Sequence, residues 1–245
     1  QPAPPAYFAQ MKDVNKVGPA ILGPLVPVPM LAPAELPRGR TSGAVLVDVR
    51  PATDFAMGHL AGSLNIPFGK SFVTWAGWLL PYHEDLYLIA ADARQADAAR
   101  TALTFIGLDR VTGYFDAVTL EAERQARGGL LPTVPQFDAS AAATFLRAAS
   151  PTVIDVRNPA EFAAGHLVGA HNIPLGELPH RLAELPTGAP LLVHCAGGAR
   201  SAIAASVLLR AGFLDLTNLI GGYSAWLRAG LPVESGPVLA TAGAA

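Results

Sequence analysis

"TVIDVRNPAEFAAGHLVGAHNIP" occupies residues 152–174, and "VLVDVRPATDFAMGHLAGSLNIP" occupies residues 45–67. The two align without a gap. They share Asp48/Asp155, Arg50/Arg157, Phe55/Phe162, His59/His166 and Asn65/Asn172, each asparagine followed by Ile-Pro. Identity of this extent within one chain means one structural unit used twice. In the second copy "TVIDV" reads as a buried strand. "NPAEFAAGH" reads as a short helix, with Asn158 as N-cap, Pro159 in the first turn and Gly165 at the end. Further on, "PLLVHC" (190–195) and "LTNLIG" (216–221) read as buried strands. "LGELPHRLAEL" (175–185), "SAIAASVLLRAG" (201–212) and "YSAWLRAG" (223–230) read as helices between and after them. Strands alternating with helices predict an α/β fold, two doubly wound parallel-sheet domains in tandem.

The expected boundaries are an N-terminal extended segment or linker over 1–37, a first domain over 38–130 and a linker over 131–136. A second domain follows over 137–235, with a tail over 236–245. The Gly- and Pro-rich "GGLLPTVPQ" (128–136) marks the junction. Apolar residues make up 51% of the chain and charged residues 15%, enough for two cores. A net charge of −2 points away from nucleic acid and from a polybasic membrane surface. The apolar run 17–33 is broken by Pro19, Pro24, Pro27 and Pro29, so it is expected to be extended and unable to span a membrane. The N-terminus has no basic region of the signal-peptide kind, and the chain begins without methionine, which suggests a fragment or processed product.

Cys195 is the only cysteine. A lone thiol excludes an internal disulfide framework and a Cys-rich metal site, and it fits a reducing, cytoplasmic setting. The residue falls directly after a predicted strand and before a predicted helix, where ligands bind in open α/β sheets. Ala196, Gly197, Gly198 and Ala199 are small, so the backbone can curl with consecutive N–H groups pointing inward. A helix beginning near Ser201 adds partial positive charge. Such a nest stabilises a thiolate and any anion attached to its sulfur. Arg200 is expected to close the loop through a carboxylate such as Glu161, or to aid thiolate formation. Ser201 reads as an N-cap.

"CAGGARS", preceded by the 152–174 stretch and followed by "GGYSAW" (221–226), closely resembles a rhodanese, or sulfurtransferase, domain. The resemblance implies ping-pong sulfur transfer. Cys195 would take the outer sulfur of thiosulfate or a persulfide and hold it as a persulfide in the loop Ala196–Ser201. It would then pass the sulfur to a thiol, sulfite or cyanide. Neither a metal nor a separate cofactor is implied. Tyrosine-phosphatase-like enzymes use a related Cys–Arg cradle one residue longer than the four residues between Cys195 and Arg200. A Cys-dependent phosphatase is therefore an alternative, as is a non-catalytic scaffold. Residues 4–22 resemble the segment after the metallo-β-lactamase-like domain of persulfide dioxygenase–rhodanese fusions. That implies a missing N-terminal partner domain and a role in sulfide oxidation.

In the first copy "LYLIAADARQADAART" (86–101) aligns with the cysteine passage, Ala90 standing opposite Cys195. Without a thiol this copy resembles an inactive rhodanese. His194, adjacent to the nucleophile, faces the other side of its strand and is expected to be structural. The repeated histidines, aspartates and arginines are expected to serve the fold, because both copies carry them. Trp75 and Trp78 are expected in a core, and Trp226 in packing.

Overall fold

The computed structural model describes residues 7–18, 23, 26–41 and 43–236. The chain divides into two compact units, Gln1–Thr133 and Val134–Ala245. In the first, helices α1 (Tyr7–Val17) and α2 (Leu36–Thr41) precede β1 (Val45–Asp48), α3 (Ala52–Met57), β2 (Leu64–Asn65) and α4 (Phe72–Leu79). After these come β3 (Leu86–Ile89), α5 (Ala93–Thr104), β4 (Val111–Phe115) and α6 (Ala117–Ala126). The second unit opens with β5 (Gln136–Phe137), α7 (Ala139–Ala149), β6 (Thr152–Asp155), α8 (Pro159–Ala164), β7 (His166–Leu167) and β8 (His171–Asn172). It closes with β9 (Leu191–His194), α9 (Ala199–Arg210), β10 (Leu216–Leu219), α10 (Gly222–Arg228) and β11 (Val233–Glu234).

The two sheets have one topology. The first runs β2-β1-β3-β4 and the second β5-β10-β9-β6-β8, with every neighbouring pair parallel. The first sheet gains its missing edge from a parallel bridge between Met30 and Tyr114. Tyr114 donates its N–H to Pro29 O at 2.9 Å and accepts from Leu31 N–H at 2.9 Å. A proline is harmless there, because an edge position leaves one side of the backbone unused. In the second unit Ala142 and Ala143 of α7 and Trp226 of α10 pack on Val153, Leu192 and Leu219. The alternate residues Leu191 and Val193 are also buried. Their face lies under α9, which runs along β9 and β10. The second sheet is thus covered on both sides, as a parallel sheet requires.

Three boundaries differ from the sequence reading. Residues 1–37 are not an extended linker throughout: α1 is helical, and the ring of Tyr7 lies where a Cβ at Gly77 of α4 would meet it at 2.5 Å. The helix forms because Tyr7–Val17 contains no proline, whereas the prolines gather beyond it. Residues 131–136 are tied down at both ends. His59 donates its N–H to Pro132 O at 3.1 Å, and Gln136 already belongs to the sheet. The stretch 175–185 forms two 3-10 turns, Leu178–His180 and Leu182–Glu184, in place of a helix. Pro179 lacks the N–H that a continuous α-helix needs. Trp75 and Trp78 are half-buried rather than core, whereas Trp226 is 3% exposed and donates its indole N–H to Pro232 O at 2.9 Å. The expected tail lies outside the described residues, apart from Gly236.

The repeated residues of the opening motif hold the carboxyl end of each sheet. Arg157 grips Asp155 through two guanidinium nitrogens, Nη2 reaching Oδ2 at 2.5 Å, and it also donates to Gly165 O at 2.7 Å. Asn172 donates to Asp155 O and Arg157 O, both at 2.9 Å. The first unit repeats the set with Asp48, Arg50, Gly58 and Asn65. His166 stacks on Phe162 at 3.6 Å and bonds Phe162 O, as His59 does with Phe55. Removing the Asn172 side chain takes a donor from two buried carbonyls, of which Asp155 O keeps the Ile173 N–H at 3.0 Å. Asn172→Ala is expected to destabilise the second unit by about 1–3 kcal/mol, read from urea unfolding of the whole chain.

Candidate active site

Cys195 leaves the end of β9 and is 1% exposed. The next three residues turn the chain into α9, which starts at Ala199 with Gly198 as its cap. Gly198 has φ +102, a conformation that side chains disfavour, and its N–H donates to Cys195 Sγ at 3.1 Å. A glycine cap brings no side-chain oxygen to the helix start, so the first N–H groups of α9 stay open toward the loop. The helix dipole and these donors together favour negative charge on sulfur. Ala196 is half-buried and Gly197 exposed, which opens the concavity to solvent.

A second glycine pair holds this loop from behind. Gly221 and Gly222 have φ +70 and +54. A Cβ on Gly222 would overlap the Cys195 carbonyl, and one on Gly198 would come within 3.3 Å of Gly221 N. This approach lets Tyr223 donate its N–H to Cys195 O at 2.7 Å and Ser224 donate to Ala196 O at 3.0 Å. With both carbonyls turned away and bonded, the N–H side of the loop faces inward. "GGYSAW" thus serves as a brace, a role its residues alone did not announce. Two consecutive glycines directly after an apolar strand were the available signal.

Arg200 does close the loop. Its two terminal nitrogens each meet one Glu161 oxygen at 2.7 Å, a bidentate pair that ties α9 to α8. The guanidinium beside Glu161 holds that carboxyl below the usual carboxylate range, partly opposed by burial. Glu161 is itself fixed by a capping box, accepting from Asn158 N–H while Asn158 Oδ1 accepts from Glu161 N–H. Ser201 is not the N-cap. The helix begins two residues earlier, and the buried Ser201 hydroxyl donates to Gly198 O at 3.1 Å. The small residues 196–199 allow that earlier start.

Behind β9 the arrangement continues through His194, which is fully buried beside Asp155 and Arg157. Burial pushes its imidazole below the ordinary range, with Asp155 opposing. The Arg157 guanidinium also lies over the Tyr223 ring at 4.2 Å.

The first unit lacks all of this. Ala90 follows β3 as Cys195 follows β9, but only Ala91 and Asp92 separate it from the helix that starts at Ala93. The loop is therefore one residue shorter. Asp92 Oδ1 accepts from Gln95 N–H at 2.8 Å, and Gln95 Oε1 accepts from Ala91 N–H at 2.8 Å. Side chains of the unit itself take the donors that the second loop leaves free. Among the described residues no group of three His, Cys, Asp or Glu side chains could hold a metal ion, and no helix is long and apolar enough to cross a membrane.

A family model described as "Rhodanese-like domain" matches residues 32–121 and again 138–229. The chain belongs to the rhodanese-like family. The rhodanese relatives include the uncharacterized protein YqhL of Bacillus subtilis, 43% identical over 74 residues, which covers 30% of this chain and 59% of that protein. The chain thus spans less than two thirds of that relative. A protein named sulfurtransferase from Allochromatium vinosum is 38% identical over 81 residues, 33% of this chain and 76% of its own. A solved thiosulfate sulfurtransferase of Pseudomonas aeruginosa covers 86% of this rhodanese chain and 42% of its own at 27% identity, with a TM-score of 0.39.

The Arg200–Glu161 pair is a quarter to a third exposed, which limits its worth to about 0.2–1 kcal/mol. Because the folded-state Glu161 titrates below its ordinary value, this stabilisation is present above that value and fades as pH falls through the depressed one. Glu161→Gln is therefore expected to be less stable than the parent at neutral pH. The gap should close on acidification, as followed by chemical unfolding at a series of pH values.

Proposed function

We propose that the second unit is a rhodanese-type sulfurtransferase whose nucleophile is Cys195. The observation that carries this reading is the Gly198 N–H directed at Cys195 Sγ, at the open start of a helix braced by a second glycine pair. The Cys195 thiolate attacks the outer sulfur of the donor, forming a new S–S bond. The donor's own S–S bond breaks, and sulfite or a thiolate leaves with the electron pair. The anionic outer sulfur then rests among the N–H groups of residues 196–201. A nucleophilic acceptor takes it and returns the thiolate. Cys195→Ser is expected to abolish turnover while unfolding like the parent. An intact mass spectrum after exposure to donor should gain one sulfur atom that cyanide removes, and the serine variant should gain none. No adduct with any donor would move the scaffold reading to the front.

A low-molecular-weight persulfide suits the loop better than thiosulfate. Residues 196–199 carry no charge, and both oxygens of Glu161 occupy Arg200, so the loop itself offers no free cation to the second anionic end of thiosulfate. The resemblance of residues 4–22 to persulfide dioxygenase fusions agrees with such a donor and with a place in sulfide oxidation. The specificity constant kcat/KM is expected to be higher for glutathione persulfide than for thiosulfate.

The first unit is read as inactive for a reason deeper than its missing thiol: its helix start is already capped by Asp92 and its loop filled by Gln95. Placing a thiol there should not create a site. In the Cys195→Ser background, Ala90→Cys is expected to yield no cyanide-labile sulfur adduct. An adduct would show that the thiol alone was wanting.

A further inference from the structure

His194 occupies a place where the repeat offers a direct comparison. On β9 it stands in register with Asp155; on β3 the same position, opposite Asp48, is Ile89. Ile89 belongs to an apolar cluster with Leu46, Leu60 and Phe115. The first unit shows that this sheet packs well with an aliphatic side chain there. Only the unit with the thiol puts an imidazole in its place, fully buried, with Nε2 lacking a hydrogen-bond partner.

The surroundings of that ring offer a neutral imidazole more acceptors than it has N–H groups to give. Nδ1 lies 3.4 Å from Cys195 O, and Nε2 lies 3.7 Å from Asp155 Oδ2. Both neighbours are acceptors, and a neutral ring has one N–H to give. Protonated, it has an N–H for each, with Asp155 within ion-pair distance and a small shift short of a hydrogen bond. The charged and titratable groups facing it are Asp155 and Arg157 from the end of β6 and His166 from β7, while Cys195 meets it through its backbone carbonyl. Asp155 and Arg157 neutralise one another, so the imidazole sets the net charge of the set. The contacts form a ring: Cys195 O to Tyr223 N–H, the Tyr223 face to Arg157, Arg157 to Asp155, Asp155 to His194, and His194 back to Cys195 O.

We propose that His194 is a positioning residue for sulfur transfer, which orients the Cys195 carbonyl and takes up a second proton from solvent when negative charge resides on the Cys195 sulfur. The inference rests on the sulfurtransferase reading for its purpose, although its central test does not. With the sulfur neutral, burial keeps the imidazole unprotonated. With the sulfur anionic, the added proton completes both hydrogen bonds and tightens the loop around the charge.

The test alkylates Cys195 in the whole chain with iodoacetamide or with iodoacetate, giving adducts of similar shape that differ by one negative charge. The His194 imidazole is then titrated by nitrogen-15 NMR. Its midpoint is expected to lie at least about one pH unit higher with the carboxymethyl adduct, a tenfold change in proton affinity. Coincident midpoints would overturn the proposal. His194→Ile, which copies the first unit, and His194→Gln extend the test to turnover with glutathione persulfide. The isoleucine variant is expected to lose at least about tenfold in kcat with little change in KM and no loss of thermal stability. The glutamine variant, which can donate to Cys195 O but cannot titrate, should recover part of kcat and lose the parent's pH dependence near the imidazole midpoint. Parental kcat and pH profile in both variants would reduce His194 to a core residue. If the sulfurtransferase reading itself fails, the parent shows no turnover, and the paired NMR titrations still decide the charge coupling.

Discussion

The closeness of Gly222 to the Cys195 carbonyl governs the second unit's functional end. Only a hydrogen atom fits between them, and that fit lets the start of α10 donate backbone N–H groups to the two carbonyls of the cysteine turn. A peptide plane whose carbonyl is held on one side presents its N–H on the other. The inward set of donors is therefore a consequence of outward anchoring. Gly198 bonding to sulfur, the uncapped start of α9 and the Glu161–Arg200 clasp all depend on that backbone course. A side chain at Gly198 or Gly222 would push the two turns apart before it touched any ligand.

The two units form an internal experiment in which the scaffold is constant and the site is not. Asp48–Arg50–Asn65 and Asp155–Arg157–Asn172 make the same bonds at the same sheet ends. These residues therefore belong to the fold. What distinguishes the second unit's site lies at the carboxyl end of its sheet: His194 for Ile89, Cys195 for Ala90, a longer glycine turn, and Tyr223 above Arg157. The Asp–Arg pairs buried for architecture carry their partners in both copies. The imidazole, buried in one copy only, does not have a full set.

Much of this was legible in the sequence because local rules and the tertiary fold agreed. Strands 152–155, 191–194 and 216–219 are short apolar runs, and Asn158, Pro159 and Gly165 punctuate α8 as their chemistry dictates. The Arg200–Glu161 contact was within reach because both residues flank predicted helix starts. Other features needed three dimensions. Nothing local tells that Pro29–Leu31 joins a sheet, since its partner Tyr114 lies far along the chain. The bracing by Tyr223 and Ser224 is made by backbone atoms, which composition does not register. Ser201 was misplaced for a similar reason: cap preference favours serine, but the tight glycine turn lets the helix start earlier.

The shorter turn between β3 and α5 also bears on how reversible the divergence of the two copies is. A lost side chain can return by a single substitution, whereas a lost backbone residue needs an insertion at one place. Meanwhile Asp92 gives α5 a side-chain cap worth a few tenths of a kcal/mol, roughly, over the glycine cap of α9. Selection for a stable fold alone would thus hold the first copy where it is. On the proposed reading, a site could arise there only through several changes together. The pair would then behave as a ratchet, with the second copy alone on the side that the proposed chemistry requires.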